Sequence, residues 1–396
     1  MIRHISKLIW NRKRSNLLII SEVMVTFLVV FAVIATGFYS YHKYKQPLGF
    51  SIERTWQIRL ETGAQWQDSR DRPVLKSLVE TLRQQPEIRS VGMTSIQLFE
   101  NSSWSSTQEI EGRNVEYLVN MVNQEGPRDW GVELVAGRWF DERDVGQAYT
   151  AIMVNRRFIQ TIGIQGDPVG FEFGDPDSPE IPPKRIVGIF SDFRQRGDFS
   201  DLTPYVFYRY DLDQEHRESM NQVHITFHQD MPAAYEEILL KQLKAVAPLW
   251  EFEIHPWKHL RENHIRMYLM PLILLAVVVG FLLLMVAMGL FGVLWQNITR
   301  RTREIGLRRA LGASRSSIQL QIIGEMVVLT LFSVTIAMVL LVQFPLLNLV
   351  PALTWANFVV SSILAISTML AIVILCALYP SLAANVMPPA EALHYE

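Results

Sequence analysis

Apolar positions gather into long runs at the two ends of the chain and alternate with polar ones in between. Residues 17–38 hold one charge, Glu22, and match the roughly 20 residues a helix needs to cross hydrocarbon. Residues 267–299 hold none, and the run exceeds one crossing, as a tilted or projecting helix would. After Glu325 no charged residue or histidine occurs before Glu391. Pro345, Asn348 and Pro351 break that tract, which predicts two helices, 318–342 and 357–379. The basic residues before the first run resemble a signal-peptide n-region. The run is longer than a usual signal core, and residues 35–38 make a poor cleavage site, so a retained span is expected.

Between the first two runs the periodicity changes. Residues 50–60 alternate like a strand (Ile52, Trp56, Ile58, Leu60), residues 73–85 place Leu75, Leu78, Val79 and Leu82 on one helical face, and residues 88–98 read as a strand. The order recurs as strand 222–227, helix 233–246 and strand 251–254. Two such β-α-β units can pair as a ferredoxin-like layer. The intervening residues are rich in glycine, proline and short β runs. The expected fold is therefore a membrane protein with four transmembrane α-helices and a large α+β extracytoplasmic domain, 39–266, between helices 1 and 2. Residues 50–98 and 217–262 would form a porter-like layer, and 99–216 an inserted β-rich subdomain.

Charge orients this arrangement. Five Lys/Arg lie in the first 14 residues and six in the segment 300–317, which places both in the cytoplasm. Segment 343–356 has none and is expected outside. Four spans return the tail, 380–396, to the cytoplasm. Ile5, Leu8 and Ile9 interleave with Arg3, Lys7 and Arg12, the pattern of an interfacial helix within 1–16. A formal net charge of −2 without a basic domain argues against nucleic acid as a partner. One cysteine, Cys376, excludes an intramolecular disulfide and a Cys-type zinc site.

The loop between the second and third spans carries the most specific pattern. Its arginines would cost roughly +2.5 to +3.5 kcal/mol each at the bilayer centre, so the segment lies outside the hydrocarbon. Within it Leu307, Ala310 and Leu311 share a helical face, and Glu304 and Arg308 form an i, i+4 pair. Gly312 stands where a helix would end on a left-handed residue, and Ser314 where the third span would be capped. Glu22 and Glu325 are acids inside spans, where such groups attract functional suspicion. Snorkelling, or pairing with arginines such as Arg14 or Arg315, is the plainer expectation for both. The large domain offers little chemistry. His255 and His259 have helical ligand spacing, but Pro256 separates them and no third ligand is apparent. There is no G-x-S-x-G elbow. Asp192 and Asp198 read as turn residues. Trp104, Trp130, Trp139, Trp250 and Trp257 read as core or contact residues before an apolar ligand groove.

Residues 301–313, RTREIGLRRALGA, closely resemble the signature loop of the MacB/FtsX-type ABC transporter permeases. Glu325 within QLQIIGEMVVL, the tail PPAEALHYE, and the stretches VAGRWFDERDV, AIMVNRRFIQTIG, PVGFEF and IVGIFSDFR are similar to that family in matching order. The resemblance implies a non-catalytic permease subunit that pairs with a second permease subunit, either a homodimer or a related paralogue. It implies an ATPase-coupling element built from Arg303, Glu304, Ile305, Gly306, Leu307, Arg308, Arg309, Leu311, Gly312 and Ala313. ATP-driven dimerisation of a cytoplasmic ABC ATPase would pass along the second span to the outer domain. The chain would bind no cofactor directly, with ATP and Mg acting through the ATPase. A periplasmic adaptor (membrane fusion protein) and an outer-membrane channel would complete tripartite export from a bacterial inner membrane, with both termini cytoplasmic. MacB carries its own ATPase. Here 16 residues precede the first span and no glycine is followed by lysine, so no Walker A loop exists and a separate ATPase chain is expected. The alternative within the family is an FtsX-like mechanotransmitter that regulates a periplasmic enzyme. A transmembrane sensor fits worse, because no cytoplasmic signalling domain accompanies the four spans.

Overall fold

The first apolar run is one helix, α1 (Lys13–Tyr44), which continues six residues past the expected span at its C-terminal end. The computed structural model describes residues 13–63, 65–164, 166–174, 180–212, 220–300, 307–308 and 311–386. Its contacts divide the chain into an extramembrane unit, residues 43–268, and a membrane unit, residues 1–42 with 269–396. The expected interfacial helix at 5–10 lies outside the described residues.

The extramembrane unit begins irregularly. The strand expected over 50–60 starts only at β1 (Thr55–Glu61), because Gly49 and Arg54 have φ of 84° and 56° and turn the chain twice before it. Helix α2 (Asp68–Arg83) starts a turn and a half before Pro73, the expected start. The Asp71 carboxylate accepts the Gln67 N–H at 2.8 Å and Arg72 pairs with Asp68, which holds that first turn. Strand β2 (Ile88–Thr94) ends four residues earlier than the alternation suggested.

Then follow β3 (Trp104–Ile110), β4 (Arg113–Val122), the short helix α3 (Gly126–Asp129), β5 (Leu134–Gly137), β6 (Thr150–Asn155) and α4 (Arg156–Ile162). Strands β7 (Glu172–Phe173), β8 (Lys184–Phe190), β9 (Tyr205–Arg209) and β10 (Gln222–Phe227), helix α5 (Tyr235–Val246) and β11 (Glu251–Pro256) complete the unit.

The two β-α-β units do interlock. Their strands lie in the order β11-β1-β10-β2, all antiparallel, which is the ferredoxin-like arrangement. Leu75, Leu78, Val79 and Leu82 of α2, with Leu239 and Leu243 of α5, pack on Ile58, Val91, Val223 and Ile225. The insert is not a detached subdomain. Its strands extend the same sheet as β4-β9-β6-β8-β5, joined to β2 through the single pair Thr94↔Val122. Buried asparagines reinforce that seam. Asn123 accepts from the Met93 N–H at 2.8 Å and donates to the Val91 carbonyl at 3.0 Å, while Asn120 accepts from the N–H groups of Ser95 and Ile96. Both add side-chain bonds to backbone groups at the seam, and the Ser95 N–H is shared with the Met121 carbonyl at 3.1 Å.

In the membrane unit, helices α6 (Trp257–Arg300), α7 (Arg315–Leu341) and α9 (Trp355–Val386) join α1, so among the described residues four helices are long and apolar enough to cross a membrane. A short helix α8 (Gln343–Leu346) and Asn348, with φ of 50°, occupy the break expected near Pro345. Phe27, Phe31, Leu290, Met326, Leu329, Ala365 and Met369 share one core. Asn357 ties α9 to α1 by donating to the Ala35 carbonyl at 3.2 Å and accepts from Ser361 at 2.9 Å. Such polar contacts supply interhelical attraction where lipid removes the hydrophobic driving force. The helix of the second run starts at Trp257, ten residues ahead of the expected 267.

Candidate coupling site

Helix α6 ends at Arg300 and α7 begins at Arg315, and of the segment between them residues 307–308 and 311–314 are described. The Leu311 N–H donates to the Leu307 carbonyl at 3.0 Å, a helical i→i−4 bond, and the Ala313 N–H reaches back to the Arg308 carbonyl at 3.0 Å. That longer reach closes a Schellman motif, with Gly312 as its left-handed residue at φ 96°. Ser314 then caps α7, its hydroxyl accepting the Ser317 N–H at 3.2 Å. The glycine stop and the serine cap stand where local sequence rules put them. Arg303, Glu304, Ile305, Gly306 and Arg309 lie outside the described residues, as does the Glu304–Arg308 pair.

Leu307 and Leu311 are one turn apart and project outward, 53% and 80% exposed. Two large apolar side chains on a basic turn, this poorly covered by their own chain, form a compact apolar knob. Arg308 faces the other way. Its Nη1 donates to Gln321 Oε1 at 2.8 Å, and Gln321 Nε2 donates to Glu325 Oε1 at 3.3 Å. The turn is thereby tied to two successive levels of α7. Glu325 is reached from Arg308 through Gln321, while the side chains of Arg14 and Arg315, named as partners for the intramembrane acids, lie outside those described. Gln321 carried no individual signal. Its spacing of four from Glu325, on the face below a basic turn, is the clue that could have found it.

Glu22 is half-buried in α1 and stands against α6. A Cβ at Gly289 would lie 2.9 Å from its Oε2, so the glycine makes room for the carboxylate. The histidine pair separates, with His255 in β11 and His259 in α6. The five tryptophans build no common groove. Trp250 belongs to the ferredoxin-like core, Trp130 and Trp257 to a second core with Trp139 at its edge, and Trp104 is exposed. Asp198 does sit in a turn, but it is fully buried and ion-paired with Arg261, a role the turn reading misses.

Among the described residues, four helices long and apolar enough to cross a membrane, a large sheet domain between the first two, and a capped basic turn between the second and third make up an architecture that fits a membrane permease. Residues 276–389, which include the turn and α7, match the FtsX-like permease C-terminal family. The chain is similar to an uncharacterized ABC transporter permease, YvrN, of Bacillus subtilis, at 23% identity over 82% of this chain and 80% of that one. It is also similar to the macrolide export ATP-binding/permease protein MacB of Bdellovibrio bacteriovorus, at 35% identity over 31% of this chain. That alignment spans only 19% of the MacB chain. Among solved structures, the periplasmic region of MacB from Actinobacillus actinomycetemcomitans aligns with 56% of the chain at 17% identity and a TM-score of 0.39. The chain is thus similar to MacB/FtsX-type permeases, with the family match confined to its C-terminal part.

Proposed function

We propose that this permease converts ATP hydrolysis by a separate cytoplasmic ABC ATPase into movement of its extramembrane domain, and so drives export or efflux. The observation that carries the reading is the Leu307–Leu311 knob. It is an apolar pair held out on a Schellman turn between two span helices and braced from behind by Arg308, Gln321 and Glu325. A cleft on an ATPase surface would cover that apolar area, and the caps give the knob the stiffness to pass on a push. Helix α6 runs from Trp257 to Arg300, which supports a rigid path from the turn.

The permease works in this reading as a pair. Only 6% of the most apolar window of α6 is buried, against 33–39% for the other three spans, which supports a second permease subunit against that helix. A bacterial inner membrane, cytoplasmic termini, and an adaptor feeding an outer-membrane channel complete the proposal. The relatives named as macrolide export proteins support the export arm. ATP and Mg belong to the partner chain.

The test uses the permease purified from its native host with its bound ATPase. Leu311→Asp puts a carboxylate on the tip of the knob without touching any core. Hydrolysis stimulated by the permease is expected to fall at least tenfold while membrane insertion is unchanged. Stimulated hydrolysis at the wild-type level would overturn the reading.

A further inference from the structure

Both helices that lead out of the extramembrane unit, α1 at its C-terminal end and α6 at its N-terminal end, are held by the same ten residues. We propose that segment 192–201 is a joint that locks these two helix ends together, with the Asp198–Arg261 ion pair as its pin. The proposal deepens the mechanical reading above and rests on it for its purpose, though not for its geometry.

The grip on α1 comes from Arg194, a fully buried residue. Its backbone N–H donates to the Leu48 carbonyl at 3.0 Å. Its Nη1 donates to the Lys43 carbonyl at 2.9 Å, and its Nη2 donates to Gln46 Oε1. Lys43 is in the last turn of α1, where helical carbonyls lack intrahelical partners and a cation meets the negative end of the helix dipole. Asp201 pairs with the Lys43 ammonium from the same segment.

The grip on α6 comes from Asp198. Its carboxylate takes Nη2 of Arg261 at 2.6 Å and Nε at 2.9 Å, a two-point contact that fixes direction as well as distance. The two grips are one object, because Arg194 Nη1 also donates to the Asp198 carbonyl at 3.0 Å. Two further turns, Gly197 N–H to Arg194 carbonyl and Ser200 N–H to Gly197 carbonyl, stiffen the segment. Phe199 then lies between the two helices as a spacer. Its ring stacks on Tyr44 of α1 with centroids 6.2 Å apart and on Tyr268 of α6 at 3.9 Å and 7°. The Arg261 guanidinium lies 5.9 Å from the Tyr44 ring.

Buried ion pairs are a poor way to gain stability, since apolar residues of the same volume commonly serve as well or better. What they supply is a single allowed geometry. A bidentate pin on the second turn of α6, tied through Arg194 to the last turn of α1, sets the rotation of one helix against the other. A push arriving along α6 then moves the domain and does not spin the helix within it. Asp198 and Arg261 are positioning residues in this account.

The test starts from the full-length permease with Cys376→Ser and spin labels on cysteines at Leu249, in the domain, and Met267, on α6, both exposed. Wild type is expected to give one narrow distance distribution. Asp198→Asn keeps shape and removes the charge, and should at least double the width. Arg261→Lys, which keeps the charge but loses the two-point contact, should give an intermediate width. Tyr268→Ala removes the stack from a half-exposed site and should broaden the distribution even if Asp198→Asn fails to fold. A narrow distribution in both Asp198→Asn and Tyr268→Ala overturns the joint. This measurement needs no ATPase, so it is independent of the Leu311→Asp result.

In the complex with its ATPase, a second label pair, Leu249 with Val359, should shift on addition of ATP. Asp198→Asn should lose that shift while hydrolysis stays within about twofold of wild type. A shift that persists, or hydrolysis that collapses along with it, overturns the coupling role.

Discussion

Gly49→Ala is expected to destabilise the extramembrane unit by about 3–5 kcal/mol, more than any single contact in the joint. Gly49 has φ of 84°, and an added Cβ would lie 1.7 Å from the Asp192 carbonyl oxygen and 2.8 Å from its carbon. Both atoms are backbone, so no side chain can swing aside. The left-handed conformation alone costs an L-residue roughly 1–2 kcal/mol. The rest is displacement of residue 192, where segment 192–201 begins, so Arg194 would be pulled from the Leu48 carbonyl it holds. For a unit of this size each kcal/mol moves Tm by about 2–4 °C. A fall of about 10 °C in the full-length protein, followed by tryptophan fluorescence, is the expected result. A Tm within 2 °C of wild type would mean that the strand entry relaxes freely.

Gly49 also marks where the sequence stops being readable. Its neighbours alternate well enough to suggest a strand from residue 50, and nothing local announces that both Gly49 and Arg54 take left-handed φ. The elements that were legible are those whose causes lie within a turn or two. The apolar face of α2 is written within eight consecutive residues, and the glycine stop at Gly312 and the serine cap at Ser314 within four or five. The ferredoxin-like order was legible for a related reason, since two β-α-β units of matching length have few ways to share a sheet.

What was hidden depends on residues far apart. Asp198 and Arg261 are 63 positions from each other, and Arg194 is 151 from Lys43. A charged residue in a loop reads as solvated until its partner is known. The fusion of the insert with the ferredoxin-like strands turns on one pair, Thr94↔Val122, and on two asparagines that look like ordinary turn residues. At the candidate coupling site the knob was visible as a pattern. Its brace was not, because Gln321 acts only through the Arg308 that folds back onto it.

Acid is expected to destabilise the extramembrane unit well before its carboxylates are neutralised, and His224 is the cause. The ring is fully buried in β10, edge-on to Trp130 and Trp257 at 5.2 Å from each. Its Nε2 is 2.8 Å from the Thr94 hydroxyl, which itself donates to the Ile96 carbonyl at 3.0 Å. The hydroxyl proton is therefore spent, so Nε2 carries a hydrogen and donates, and Nδ1 is the bare nitrogen. Nδ1 accepts no hydrogen bond from the protein. A proton there would create an uncompensated charge among indoles, and burial pulls the pKa down to about 3. The unfolded chain takes that proton near the ordinary value of about 6.5. Between these values the unfolded state binds more protons than the folded one, so stability falls as pH falls, by about 1.4 kcal/mol per pH unit. The loss is absent above pH 7 and reaches roughly 2–3 kcal/mol at pH 4.5. Burial lowers His264 as well, which adds to the slope in the same direction. Asp141, held at about 2 chiefly by Arg143, adds its own loss only below the ordinary carboxylate range. His224→Gln keeps an amide to donate to Thr94 and has nothing to protonate. In chemical denaturation from pH 6.5 to 4.5, the slope of stability against pH should fall by about 1.4 kcal/mol per unit in that variant. Equal slopes for the two proteins would place the acid sensitivity elsewhere. Because Trp257 is both a neighbour of His224 and the first residue of α6, the same titration should loosen the anchor of that helix before the membrane unit responds.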